Sequence, residues 1–206
     1  MKTFFISTVV AVSLIVVVGS ILLILFAKPV KQRVKLSKAK LIAYIAVLTA
    51  ISALTNMFSI VIDNNFAISF VAIPCFIAGY MFGCVEGFAV GFIGDIIGCL
   101  IMPKGVYSPI LSLSSGLWGF IPGVMFKYVK GKDSIKTIIC FILSLIICTA
   151  FLNTFGLWYV YAMGKKAFWA YLWVRLPWQA LVTLINMFIS LSLLTFLELI
   201  TPSNKT

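Results

Sequence analysis

Histidine is absent from the 206 residues, and acid is scarce: Asp63, Glu86, Asp95, Asp133 and Glu198 are the five carboxylates, scattered along the chain. Without histidine there is no His-dependent zinc site and no Ser-His-Asp triad, and the scattered acids leave no pair for a two-metal centre. The cysteines, Cys75, Cys84, Cys99, Cys140 and Cys148, lack CxxC spacing and sit within apolar stretches. They read as small core residues rather than disulfides or metal ligands. No GxxxxGK[ST] loop is present, so the chain cannot itself draw energy from a nucleotide. No cofactor is expected. Charge as a whole is short, at 10% of residues against 63% hydrophobic, too little to cover a soluble domain of this length.

What is present instead is a succession of apolar runs of about twenty residues, each long enough to cross a bilayer. The chain reads as a polytopic helical membrane protein. Its net charge of +11 would suggest nucleic acid in a soluble protein, but the basic residues gather in loops. Lys28, Lys31, Arg33, Lys35, Lys38 and Lys40 form one block, and Lys127, Lys130, Lys132 and Lys136 a second. By the positive-inside rule both blocks are expected in the cytoplasm, and no nucleic-acid partner is expected.

Thr3 to Ala27 is a longer apolar run than a signal-peptide core, and LFAKPVK is a poor cleavage site, so it is expected to be a retained helix. Helices are then expected at about 41–61, 67–82 (kinked at Pro74), 87–102, 110–126, 137–162 and 168–200, the last broken or kinked at Pro177. Counting crossings from the first basic block puts DNNF (63–66), PKGVYSP (103–109) and GKK (164–166) outside, and the C-terminus inside. The N-terminus is then outside.

Two small-residue stripes stand out. Ala43, Ala46, Ala50 and Ala53 fall at about 0°, 300°, 340° and 280° on one narrow helical face, at 100° per residue. Such a face lets another backbone approach, either within the chain or from a partner protein. Gly87, Gly91, Gly94, Asp95 and Gly98 share an arc of about 100°. That face either packs tightly on a neighbouring helix or opens a groove for a flat ligand, and it aims Asp95 at protein rather than lipid.

The segment AISFVAIPCFIAGYMFGCVEGFAVGFIGDIIGCLIMPKGVYSPILSLSSGLWGFIPGV carries a proline after a strand-like entry, paired glycines about an inner turn, a Gly-Asp-x-x-Gly helix, and a loop with Pro103, Gly105, Tyr107 and Pro109. In these features it resembles the substrate-binding S components of energy-coupling-factor (ECF) vitamin transporters. FLNTFGLWYVYAMGKKAFWAYLWVRLPWQALV is most similar to the folate-specific members, through Asn153–Thr154, Trp158, Gly164–Lys165 and Arg175–Pro177. The resemblance covers about residues 40 to 200. It implies an all-α, six-helix bundle over 40–206, preceded by an extra transmembrane helix and basic linker over 1–39 that departs from the family pattern.

The resemblance further implies a subunit of an ATP-driven importer of the bacterial cell membrane. It would capture folate or a related vitamin outside and release it inside by toppling. Its partners would be a shared transmembrane coupling subunit, docked on Ala43, Ala46, Ala50 and Ala53, and two ATPase subunits that carry the ATP hydrolysis. The chain itself is then no enzyme and has no catalytic residues. Folate presents a flat pterin, a benzoyl linker and two carboxylates, so its pocket calls for aromatic faces, fixed polar groups and a cation. Asn153, Trp158, Trp169, Trp173, Arg175, Trp178 and Gln179 supply these types on the last two helices, with Tyr107 and Lys104 on the facing loop.

Arg175 suits a carboxylate or ring carbonyl, against the alternative of snorkelling to headgroups. Lys165 and Lys166 read as loop charges that attract anions generally. Asp95 has a pterin edge as one candidate partner, and Asn153 or a helix backbone as the other. The rival readings are an S component for another vitamin or a modified base, and a proton-coupled carrier in which Asp95 titrates. Against the carrier, no internal repeat is evident. A membrane enzyme is disfavoured by the missing histidine, and a purely structural role by Asp95, Asn153 and Arg175 at membrane depth.

Overall fold

A computed structural model of the chain describes residues 37–63, 66–162 and 167–200. The expected first helix with most of its basic linker, the GKK turn and the polar tail lie outside the described residues. In chain order the elements are α1 (Lys38–Met57), a hairpin of β1 (Ile60–Asp63) and β2 (Phe66–Ile68), α2 (Ala72–Met81), α3 (Cys84–Ile101), α4 (Pro109–Tyr128), α5 (Asp133–Ala162) and α6 (Phe168–Ile200). Among the described residues, all of these helices except α2 are long and apolar enough to span a membrane.

The all-α expectation needs one correction. The helix expected to reach residue 61 stops at Met57, and Ile60 pairs with Ile68 in an antiparallel ribbon. The reason is local: Ser59 Oγ donates to Asn56 O at 2.7 Å and closes the helix, after which the β-branched run Ile60-Val61-Ile62 favours extended chain. The following helix accordingly starts at Ala72, not 67, and spans 10 residues. Pro74 is therefore in its first turn, where the missing N–H has no helical acceptor to lose, and no mid-helix kink arises there. Pro177 breaks nothing either, since α6 continues through it.

α5 departs furthest from a regular helix. It is α-helical to Ser144, but Leu145–Asn153 and Trp158–Ala162 wind more widely, with π-type i→i+5 spacing. Side-chain hydroxyls take up carbonyls along the first wide stretch: Ser114 Oγ donates to Cys148 O and Thr154 Oγ1 to Thr149 O. Wide turns of this kind recur where a helix lines a site.

The glycine stripe of α3 is filled by protein. A Cβ built on Gly87 would lie 2.5 Å from Gly119 O of α4 and 2.7 Å from Gly79 Cα of α2, so three backbones meet there. One on Gly91 would overlap Ser115 O, while on the other side a Cβ on Gly94 would lie 2.6 Å from Ser52 Oγ and one on Gly98 2.9 Å from Asn56 Cβ, both of α1. The stripe is thus a close-packing surface, and the groove alternative falls away. The turn into α3 requires glycine for a different reason: Gly83 has φ 124°, which side-chain-bearing residues rarely adopt.

Candidate functional site

Contacts between loops define one end of the bundle. Lys104, in the α3–α4 loop, donates to Asn56 O at 2.6 Å and to Ser59, at the α1–hairpin junction. In the same loop the Val106 N–H donates to the Tyr161 hydroxyl of α5 at 3.2 Å. On α6, Trp178 Nε1 donates to Ala67 O, and Asn186 Nδ2 to Ser69 O, tying the helix to the hairpin and the residue that follows it. The hairpin, the PKGVYSP loop, the last turns of α5, and α6 about Trp178 and Asn186 therefore converge. At the opposite end α4 meets the α2–α3 turn, where a Cβ on Gly123 would overlap Cys84.

The candidate residues fall into two groups at the converged end. Asp95 anchors the first. It is buried, at 7% exposure, and both carboxylate oxygens are occupied. Oδ1 accepts from Asn56 Nδ2 at 2.7 Å and Ser115 Oγ at 3.2 Å, while Oδ2 accepts from Ser112 Oγ at 2.6 Å. These three side chains are its protein partners, and Asn153, one of the alternatives raised by the sequence, is not among them. Ser112 Oγ also lies 3.1 Å from the Tyr107 hydroxyl, so the network runs from α3 through α4 to the exposed loop. Lys104 joins it by capping the C-terminal carbonyls of α1, an arrangement that suits the negative end of a helix. Partial burial pushes the Lys104 ammonium below its ordinary pKa. Lys104 and Tyr107 are thus occupied in holding the loop.

The second group lies on α5 and α6. Trp158 is buried with Ala162 and Tyr171, its ring edge-on to Phe168 at 5.8 Å between centroids and near Phe155. Arg175 is 3% exposed, with its guanidinium carbon 5.4 Å from the centre of the Tyr171 ring and Nη1 donating to the Tyr171 hydroxyl at 3.3 Å. Its Nε has no acceptor, and no carboxylate pairs with it among the described residues. Gln179 is half-buried one turn further along the same helix, and Asn153 is half-buried at the end of the first wide segment of α5. Trp169 and Trp173, expected to supply aromatic faces, are exposed at 66% and 70% and turn away from the bundle.

Sequence reasoning missed several polar residues that matter. Asn56, Ser112 and Ser115 hold Asp95, and nothing local in the sequence joins them to it. Thr183, Asn186 and Ser190 are buried on α6, with Asn186 Oδ1 and Ser190 Oγ lacking any partner among the described residues. A signal for these existed: Arg175, Gln179, Thr183, Asn186 and Ser190 are spaced 4, 4, 3 and 4, a polar stripe on one helical face.

The apolar helical bundle, with a cation and amides buried on its inner surfaces, defines a multi-pass membrane protein built for recognition. The chain belongs to the family described as "ECF transporter, substrate-specific component", whose model matches residues 40–194. It is similar to the folate transporter FolT of Clostridium novyi (strain NT), at 32% identity over 104 residues, which are 50% of this chain and 59% of that one. The chain thus aligns with little more than half the length of this relative. Among solved structures it is similar to the crystal structure of FolT bound with folic acid (TM-score 0.63, 25% identity, covering 73% of this chain and 91% of the other). It also shares its fold with the S component of a bacterial ECF transporter (TM-score 0.59, 18% identity, covering 79% and 99%).

Proposed function

We propose that this chain is the folate-binding subunit of an ECF-type importer, taking the vitamin at the converged end and delivering it inward with partner subunits. The observation that carries the proposal is Arg175. A guanidinium buried without a carboxylate among the described residues is costly, and an anionic ligand is a partner that would offset that cost. Folate brings two carboxylates, and the two FolT relatives supply the substrate class. The buried aromatic cluster about Trp158 and Tyr171 offers faces for its rings.

In this reading the converged end faces outward, the N-terminus lies outside and the C-terminus in the cytoplasm. The energy comes from two partner ATPases through a shared transmembrane subunit. Ala43, Ala46 and Ala50 on α1 are exposed and form the docking strip, whereas Ala53 is buried against Gly98 of α3 and belongs to the internal packing. Ala46→Trp should leave vitamin affinity unchanged and abolish co-purification with the coupling subunit. Intact assembly in that variant would move the docking face elsewhere.

The purified chain titrated with folate, without ATP or an ion gradient, should bind it tightly. Failure to bind folate alongside tight binding of another vitamin or modified base would overturn the substrate while leaving the family intact. The proton-carrier reading is disfavoured by the three hydrogen bonds that fix the Asp95 carboxylate. Uptake that persists with an uncoupler at constant ATP is the expected result.

A further inference from the structure

We infer that the buried stripe of α6 is the long axis of the ligand site, with Arg175 at the carboxylate end and Asn186 and Ser190 holding the hydrogen-bonding edge of the heterocycle. This rests on the folate reading above. At 100° per residue, Gln179, Asn186 and Ser190 fall within about 60° of Arg175 on α6. At about 1.5 Å rise per residue, Asn186 stands roughly 16 Å along the helix from Arg175 and Ser190 roughly 22 Å. The site is therefore elongated, as is a molecule with a pterin at one end and glutamate at the other.

Polarity fixes which end is which. Asn186 is 3% exposed and Ser190 fully buried, and each has an unmatched polar atom. Ser69 O, 2.9 Å from Asn186 Nδ2, can only accept, so it determines the orientation of the amide and leaves Oδ1 as a bare acceptor. A buried acceptor with no donor among the described residues calls for one and repels a carboxylate. A pterin edge, with its amino group and ring N–H, presents adjacent donors. Arg175 is the reverse case, with donors only and a full positive charge, so it takes the carboxylate.

The test uses the purified full chain and three ligands: folate, 6-methylpterin, which lacks the carboxylates, and p-aminobenzoylglutamate, which lacks the pterin. Ser190→Ala removes a hydroxyl that makes no hydrogen bond among the described residues, and Asn186→Leu removes the acceptor. Each should weaken folate and 6-methylpterin about tenfold or more and leave p-aminobenzoylglutamate unchanged. Arg175→Gln should weaken folate and p-aminobenzoylglutamate and spare 6-methylpterin. The opposite pattern reverses the orientation and overturns the inference. Unchanged affinities in both the Ser190 and Asn186 variants overturn it too, assigning those atoms to ordered water. A wild-type chain that binds no folate removes the substrate reading and this inference together, whereas wild-type binding with flat variants removes this inference alone. Melting temperatures guard against misfolding of Asn186→Leu, and Ser190→Ala remains decisive if that variant fails to fold.

Discussion

Asp95 on α3 and Arg175 on α6 are both ionisable groups buried within helices long and apolar enough to span a membrane, yet their surroundings differ completely. Three donors from two other helices close on Asp95 and leave neither oxygen free. Among the described residues Arg175 has one phenol and an aromatic face, and its Nε has no acceptor. The difference extends to the elements around them. α1, α3 and α4 approach through glycine and serine until backbones touch, whereas α5 widens its turns and α6 buries polar atoms that no described residue satisfies. A satisfied network in a tight crossing holds a shape, and unsatisfied groups in a loosened one await a ligand. The first half of the bundle is the scaffold and the second the recognition surface.

The largest effect should come from breaking the scaffold's crossing. Gly91→Val would drive a branched side chain into the α4 backbone at Ser115, which cannot yield as a flexible side chain would. The cost should reach about 3 kcal/mol or more, seen as loss of the monodisperse, ligand-binding form on size exclusion. A stable Gly91→Val protein would mean that the α3–α4 interface is looser than its geometry. Next is Asp95→Leu, which strands the donors of Asn56, Ser112 and Ser115 and should cost on the order of 3 kcal/mol in detergent melting. Asp95→Asn, which keeps an acceptor, should cost less than half as much. Equal losses in the two would argue that the charge itself matters, and would revive a titrating role.

Arg175→Leu sharpens the comparison because its two readouts should move apart. Removing an unpaired buried charge should leave the melting temperature unchanged or raise it, while folate affinity falls about a hundredfold, close to 2.7 kcal/mol. Asp95→Leu should give the reverse, destabilising the fold at nearly constant affinity for whatever fraction remains folded. A melting temperature that falls in step with affinity for Arg175→Leu would place Arg175 with the scaffold and remove the distinction.

How much of this was legible in the sequence depends on the range over which each feature is determined. Five of the expected spans and the α3 glycine face follow from local composition and a period of 3.6, and these appear among the described residues. The hairpin was misread because Ile60-Val61-Ile62 is as apolar as a helix end, and hydropathy does not separate the two; β-branching and the preceding Ser59 cap were the discriminating cues. The wide turns of α5 depend partly on a hydroxyl from another helix, Ser114 on Cys148 O, which no local pattern announces. Asp95 was rightly aimed at protein, but its partners lie 17, 20 and 39 residues away in sequence, beyond any spacing rule. The α6 stripe is different, since its spacing of 4, 4, 3 and 4 is a purely local pattern.

The smallest expected effect concerns Lys104, where the scaffold meets the loop that borders the recognition surface. Its ammonium donates to Asn56 O and Ser59, so it fastens the α3–α4 loop to α1 through the residue that also holds Asp95. Being largely solvent-exposed, it should contribute under about 1 kcal/mol, and Lys104→Met should shift melting only slightly at neutral pH. Its pH dependence is the more informative measurement. Burial depresses its pKa in the folded protein below the ordinary 10.5, so between the folded and unfolded values the unfolded chain binds more protons. Stability from this group should therefore rise with pH across that alkaline window and be lost again as pH falls back through the folded pKa. Lys104→Met should flatten that rise while leaving folate affinity at pH 7 within about threefold of wild type. A loss of tenfold or more would show instead that Lys104 reaches the ligand, and would shift the boundary between scaffold and recognition surface to include the loop.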